Sequence, residues 1–217
     1  MLPVRIPVAK EGLPFVGMSA LATIVFALLE MRGPALAALV FTGFVLYFFR
    51  DPERVVPHRA NLLTSPADGK VIDISEAQEP WFDSGKTIRV SIFMNVFNCH
   101  VNRAPISGTV MDMKYRPGRF ISANKSRAMV ENEANALLLE DDLRRQVTVV
   151  QIAGLIARRI VCHAQVGDIL ERGQRYGMIR FGSRLDVYMP VDSQLLVEKG
   201  DKAVAGQTVL AAMKAPR

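Results

Sequence analysis

Cysteine is nearly absent from this 217-residue chain, which has only Cys99 and Cys162. That excludes a disulfide framework as the source of its stability and suits a reducing compartment. Finger, helix-turn-helix and aromatic-rich basic motifs are also missing. The basic excess, 27 Lys and Arg against 21 Asp and Glu, therefore does not point to nucleic acid. Histidine is scarce, and two of the three adjoin a cysteine, as Cys99-His100 and Cys162-His163. Neighbours on a strand point to opposite faces, whereas structural zinc ligands stand two to four residues apart. A metal site is not expected, and Cys162, His163 and His58 read as core, rim and linker. No A-x-A-like site follows the first apolar run, which argues against a cleaved signal peptide.

Two apolar runs are present near the start, Leu13 to Leu29 and Pro34 to Phe49, separated by Glu30-Met31-Arg32-Gly33. As helix each would be roughly 25 Å long, short for a hydrocarbon core of about 30 Å. The pattern predicts a tight helical hairpin that spans or dips into a bilayer. Arg5 and Lys10 precede it, and Arg50, Arg54 and Arg59 follow. By the positive-inside tendency both ends lie in the cytoplasm, against an anionic membrane. Residues 1–56 are thus expected to be a membrane-associated hairpin with its linker, and residues 57–217 a β-rich domain.

Beyond Pro57 come short Val- and Ile-rich runs bounded by turn residues: Lys70 to Ile74, Thr87 to Met94, Gly108 to Met113, Gln146 to Ile152, Arg158 to Cys162, Met178 to Phe181 and Leu185 to Met189. One short helix is expected over Ser126 to Asn135. Two internal echoes organise the region. Pro66-Ala67-Asp68-Gly69-Lys70-Val71-Ile72-Asp73 recurs as Pro105-Ile106-Ser107-Gly108-Thr109-Val110-Met111-Asp112. Gly167-Asp168 with Gly173-Gln174 recurs as Gly200-Asp201 with Gly206-Gln207, each unit reading as a glycine-turned β-corner. Such echoes resemble the barrel-sandwich fold of lipoyl and biotinyl domains, which implies a mainly β fold of that kind behind the hairpin. A carrier role does not follow from the shape. Lys214 comes about two residues early for a biotinylated Met-Lys, and only three residues remain for the returning strands.

Chemistry enters at Arg180-Phe181-Gly182-Ser183-Arg184, which holds the only Gly-Ser dipeptide. A serine hydroxyl can attack the carbonyl before it and turn the amide into an ester. Glycine there leaves the carbonyl open and tolerates strained backbone. Elimination from the ester gives dehydroalanine, and loss of ammonia gives a pyruvoyl group.

Six stretches, in order along the chain, resemble the short prokaryotic form of phosphatidylserine decarboxylase. They are Phe48-Phe49-Arg50-Asp51-Pro52, Ser65-Pro66-Ala67-Asp68-Gly69, His100-Val101-Asn102-Arg103-Ala104-Pro105, Glu131-Asn132-Glu133, Ala153-Gly154-Leu155-Ile156-Ala157-Arg158-Arg159-Ile160 and Ile179-Arg180-Phe181-Gly182-Ser183-Arg184. Archaetidylserine decarboxylases look similar. Departures are Ala134, where an Arg is usual, His163, where a Trp is usual, and Arg103, where longer members have a second histidine.

The resemblance implies autocatalytic serinolysis between Gly182 and Ser183, giving pieces 1–182 and 183–217 that stay together. Ser183 would become the covalent pyruvoyl cofactor and form a Schiff base with the serine amine of phosphatidylserine. The product would be phosphatidylethanolamine, made at the cytoplasmic face of the cell membrane. Asp68 would be the base for self-cleavage and His100 the acid–base group in decarboxylation. Arg103 and Asn102 would bind substrate, the Arg through its fork of donors. Two rivals stay open: a membrane-anchored carrier or binding module without catalysis, and an anchored structural protein. Both predict one unbroken polypeptide.

Overall fold

The computed structural model describes residues 7–125, 127–155, 159–180 and 182–214. It divides into two compact units, 1–53 and 54–217.

In the first unit a 3-10 turn, Lys10–Gly12, leads into α1 (Leu13–Leu28), and α2 (Arg32–Phe48) follows. Pro14 lies in the first turn of α1, where its missing N–H costs nothing. Between the helices Glu30 takes φ +56°. Few polar groups occur in the helices, and the Ser19, Thr23 and Thr42 hydroxyls turn back to carbonyls of the preceding turn. Thr23 and Thr42 Oγ1 lie 3.1 Å apart, and each is also within 2.9 Å of a carbonyl one turn back to which its single proton can turn instead. At the base, Ala9 N donates to Phe49 O and Asp51 N to Pro7 O. Phe15 stacks on Phe49 at 5.3 Å. Lys10–Leu28 is long and apolar enough to cross a membrane, while Arg32–Phe48 is shorter. Leu21, Leu28, Leu36, Val40 and Phe41 are exposed.

The second unit is mainly β. In chain order its strands are β1 (Leu62–Thr64), β2 (Gly69–Gln78), β3 (Lys86–Met94), β4 (Val101–Arg103), β5 (Gly108–Arg116), β6 (Ala134–Glu140) and β7 (Gln146–Ile152). There follow β8 (Ile160–Cys162), β9 (Ile169–Leu170), β10 (Arg175–Ile179), β11 (Ser183–Pro190), β12 (Gln194–Leu195), β13 (Lys202–Ala203) and β14 (Val209–Ala212). One helical turn, α3 (Ala128–Glu131), interrupts them. The large curled sheet runs β13-β2-β3-β11-β7-β6-β5-β9, flanked by β1-β14-β12 and β4-β10-β8.

This order is symmetric about the central pair β7·β11, and the sequence echoes are the reason. Gly69 pairs with Ala203 in one half as Gly108 pairs with Leu170 in the other. Val71 N donates to Asp201 O as Val110 N donates to Asp168 O, both at 2.9 Å. A bulge follows Val71 and again Val110. Gly206 N reaches Ser65 O as Gly173 N reaches Ala104 O, both at 2.8 Å. The four corner glycines have φ between +73° and +109°. The barrel-sandwich resemblance thus holds as a mainly β fold behind an apolar helix.

Alternation places the core. Ile88, Val90, Ile92 and Met94 of β3 face inward with Leu185, Val187 and Met189 of β11 and Val147 and Val149 of β7. Each such side chain contributes about 1.5–3 kcal/mol by leaving water. The outer face is polar along β11, where Arg184 Nε meets Asp186 Oδ1 at 2.6 Å, both buried. Arg184 also donates to Ser91 Oγ at 2.8 Å. Trp81, Phe82 and Met129 pack over the apolar part of that face with Tyr188. Burial pushes the Tyr188 hydroxyl up to about 12.

The helix expected over Ser126 to Asn135 is corrected. Only Ala128–Glu131 is helical, Ala134 begins β6, and Ser126 lies outside the described residues. The Ala- and Leu-rich segment is a strand because β5 and β7 pair with it on both sides, overriding its local preference. Of the predicted Arg158 to Cys162 strand, Ile160–Cys162 is β8 and Arg158 lies outside the described residues. Phe181 does likewise, and β10 ends at Ile179.

Candidate active site

The short connection from β10 to β11 carries the Gly-Ser dipeptide. Ser183 is the first residue of β11 and pairs with Met94, the last of β3. Being in phase with Leu185 and Val187, it faces the core side of the sheet. It is fully buried, and among the described residues its Oγ has no hydrogen-bond partner. Gly182 before it has φ +62°, a conformation that L side chains rarely adopt.

His100 lies beside this link and is fully buried, just ahead of β4. Its Nδ1 is 2.9 Å from Asn98 O, and a carbonyl only accepts, so Nδ1 carries the proton. Nε2 is then the acceptor, and the Gly182 N–H points to it at 3.4 Å. The ring is thus held by backbone on both sides, one contact being with the Gly-Ser link itself.

Asn102 and Arg103 are neighbours on β4 and diverge. Asn102 is fully buried, its Oδ1 accepts from Gln151 Nε2 at 2.8 Å, and its Nδ2 lies 3.9 Å from Met94 Sδ. Met94 is the partner of Ser183, so Asn102 belongs to that side. Arg103 turns the other way and donates from Nη1 to Gly173 O at 2.9 Å, at a β-corner. Asp68 precedes β2. Its Oδ2 takes Arg54 Nη2 at 2.8 Å and its Oδ1 takes Ala205 N at 2.8 Å. The structure therefore brings together Ser183, Gly182, His100 and Asn102. Asp68 and Arg103 are each engaged elsewhere.

Three residues at the site carried no role in the sequence reading. Gln151 bridges Asn102 to Asn135, whose Nδ2 donates to Gln151 Oε1 at 3.1 Å. Gly154 lies directly against the Gly182 carbonyl. Asn132 ties Ala153 to Ile121. Asn132 and Gly154 lie within family-like stretches, so the signal existed, but their partners are remote in sequence. The Cys-His pairs form no ligand cluster; among the described residues no group of three or more His, Cys, Asp or Glu could hold a metal ion. Burial raises the Cys162 thiol above its ordinary value.

Fold and site together define a class: a mainly β protein that holds a Gly-Ser peptide bond buried against a histidine at the end of its central strand. The comparisons narrow it. The sequence model of the family described as phosphatidylserine decarboxylase matches residues 41–211. A phosphatidylserine decarboxylase proenzyme of Geotalea uraniireducens is 52% identical over 204 residues, covering 94% of this chain and 95% of its own. One from Desulfotalea psychrophila is 49% identical over 210 residues, with 97% and 98% covered. One from Ralstonia pickettii is 47% identical over 204 residues, with 94% of each covered. The chain belongs to the phosphatidylserine decarboxylase family and is an enzyme of it.

Proposed function

We propose that this chain decarboxylates phosphatidylserine to phosphatidylethanolamine with a pyruvoyl group made from its own Ser183. The supporting observation is Ser183 itself, a buried hydroxyl without a partner among the described residues, next to a glycine of positive φ. An unsatisfied buried hydroxyl costs on the order of 1–3 kcal/mol, a cost that reaction can relieve. The Ser183 oxygen attacks the Gly182 carbonyl carbon. The C–N bond breaks, and the hydroxyl proton ends on the leaving nitrogen. Loss of the Ser183 Cα proton then expels the Gly182 carboxylate and leaves dehydroalanine, and water displaces its nitrogen as ammonia. The products are 1–182 and 183–217.

A pyruvoyl group keeps the three carbons of serine, so it fits the space that Ser183 fills. When present, its carbonyl supplies the electron sink for the charge left as CO2 departs. His100 holds a proton acceptor, Nε2, beside the link, where Gly182 N–H occupies it in the uncut chain. Cutting makes Gly182 a chain end, and His100 then moves a proton at the substrate Cα. Asn102, on the Ser183 side of β4, orients the substrate. Arg103 has less support as a binding residue, since Gly173 takes part of its fork. Asp68 serves self-cleavage as a base once Arg54 releases its carboxylate. The apolar hairpin, with basic residues at both ends, holds the enzyme at the cytoplasmic face of an anionic membrane.

The test is release of CO2 from carboxyl-labelled phosphatidylserine in detergent micelles. Purified wild type should release it, and Ser183→Ala should stay one chain and release none. Turnover by uncut Ser183→Ala would sink the proposal.

A further inference from the structure

The carbonyl that Ser183 would attack lies against Gly154, two residues beyond the end of β7. A Cβ built on Gly154 would stand 1.8 Å from Gly182 O and 2.9 Å from Gly182 C. The bare Cα of residue 154 is therefore the surface on which that carbonyl lies, and any side chain there would displace it. The same Cβ would also come into ordinary contact with the Ala123 Cβ, at 3.4 Å.

Gly154 is itself held in place by Asn132, which is fully buried. Asn132 Nδ2 donates to Ala153 O at 2.7 Å and to Ile121 O at 2.8 Å, while its Oδ1 accepts from Ile121 N at 3.0 Å. Ala153 N donates to Glu133 O at 2.9 Å. One amide side chain thus locks the segments around residues 121, 132 and 153 into a single support. That support meets the chain at the Gly182 carbonyl, the group on which self-cleavage would act. Continuing the β7·β11 register past Arg184↔Ile152 sets Gly154 opposite Gly182, so the support stands where the two central strands run out.

We propose that Gly154 and Asn132 are positioning residues for self-cleavage: together they fix the Gly182 carbonyl in the orientation in which the Ser183 oxygen can reach its carbon. This rests on the reading that Ser183 cuts the chain. The step served is the first one, in which the Oγ–C bond forms, the C–N bond breaks and the hydroxyl proton passes to nitrogen. A displacement of about 1 Å at such a centre can cost on the order of 10²-fold in rate.

The experiment uses the full chain in three forms, wild type, Gly154→Ala and Asn132→Asp, with uncut Ser183→Ala as the folding reference. Cutting is followed by intact mass, folding by thermal melting, and the ester by its cleavage with neutral hydroxylamine. Gly154→Ala should melt cooperatively like Ser183→Ala, cut at least about 10²-fold more slowly than wild type, and yield no pieces with hydroxylamine. Asn132→Asp keeps the shape but loses both Nδ2 donors, and should cut about tenfold more slowly, again without trapped ester. The Asp variant decides the matter if the Ala variant does not fold. Wild-type cutting rates in a folded variant would overturn the proposal, as would ester accumulating in a stalled one. A wild type that never cuts would instead overturn the self-cleavage reading on which it rests.

Discussion

In one half of the β unit Ser107 Oγ accepts the Arg172 amide at 3.0 Å; in the other Asp68 Oδ1 accepts the Ala205 amide at 2.8 Å. The two positions correspond through the Pro-x-x-Gly echo, and Arg172 and Ala205 correspond through the Gly-Asp corners. The same turn is therefore made twice, and a hydroxyl suffices for it. The carboxylate adds a second oxygen and a charge, taken up by Arg54. The central strands differ in the same way. The outer face of β7 carries Val150 and Ile152, whereas β11 places Arg184 and Asp186 directly opposite them. Duplication supplies the scaffold, and the groups that depart from it gather around the Asp68 turn and the start of β11.

Several variants can break or sharpen this contrast. Asp68→Ser copies the Ser107 turn, so the chain should fold and yet stay uncut when followed by gel and mass. Normal cutting would reduce Asp68 to a turn residue. His100→Ala should be cut, because its proposed work begins afterwards, and should lose on the order of 10²-fold in turnover. If it blocks cutting as fully as Asp68→Ser, the division of labour is wrong and His100 belongs to processing. Asp186→Ala strands Arg184 in a buried site and should cost about 3–5 kcal/mol in denaturant unfolding. Val150→Ala, opposite it, removes only apolar volume and should cost less.

Tyr188 gives the contrast a pH signature. Burial raises its folded pKa to about 12 from the ordinary 10, so the stability it contributes is complete below pH 10 and fades as pH rises towards 12. The fall should be on the order of 2 kcal/mol, and Tyr188→Phe should remove that part of it in melts taken across this range. The smallest effect is expected from Ser107→Ala, about 1 kcal/mol or less, with cutting unchanged.

Much of this was legible in the sequence. Period-two runs located the long inner strands, and β7 matches its prediction residue for residue. The echoes foretold the corners; the symmetric strand pairing came only with the structure. Two-residue strands such as β9, β12 and β13 were not legible, since so short a segment has no period. β6 was obscured by alanine and leucine, whose helical preference yields only to partners on both sides. At the site, the Gly-Ser link and His100 could be named from motifs. What motifs could not give was direction: Asn102 and Arg103 are adjacent in sequence, yet one faces Met94 and the other Gly173. The support under the Gly182 carbonyl was hidden for a similar reason, because its links join residues 11, 21 and 28 positions apart.

The central claim is that Ser183 is converted, and the mass of the purified, active protein tests it directly. Two species are predicted, residues 1–182 ending in a free carboxylate and residues 183–217 lighter by one ammonia than a serine-initiated piece. A single intact mass in an active preparation would contradict the account, and so would a small piece that still begins with serine.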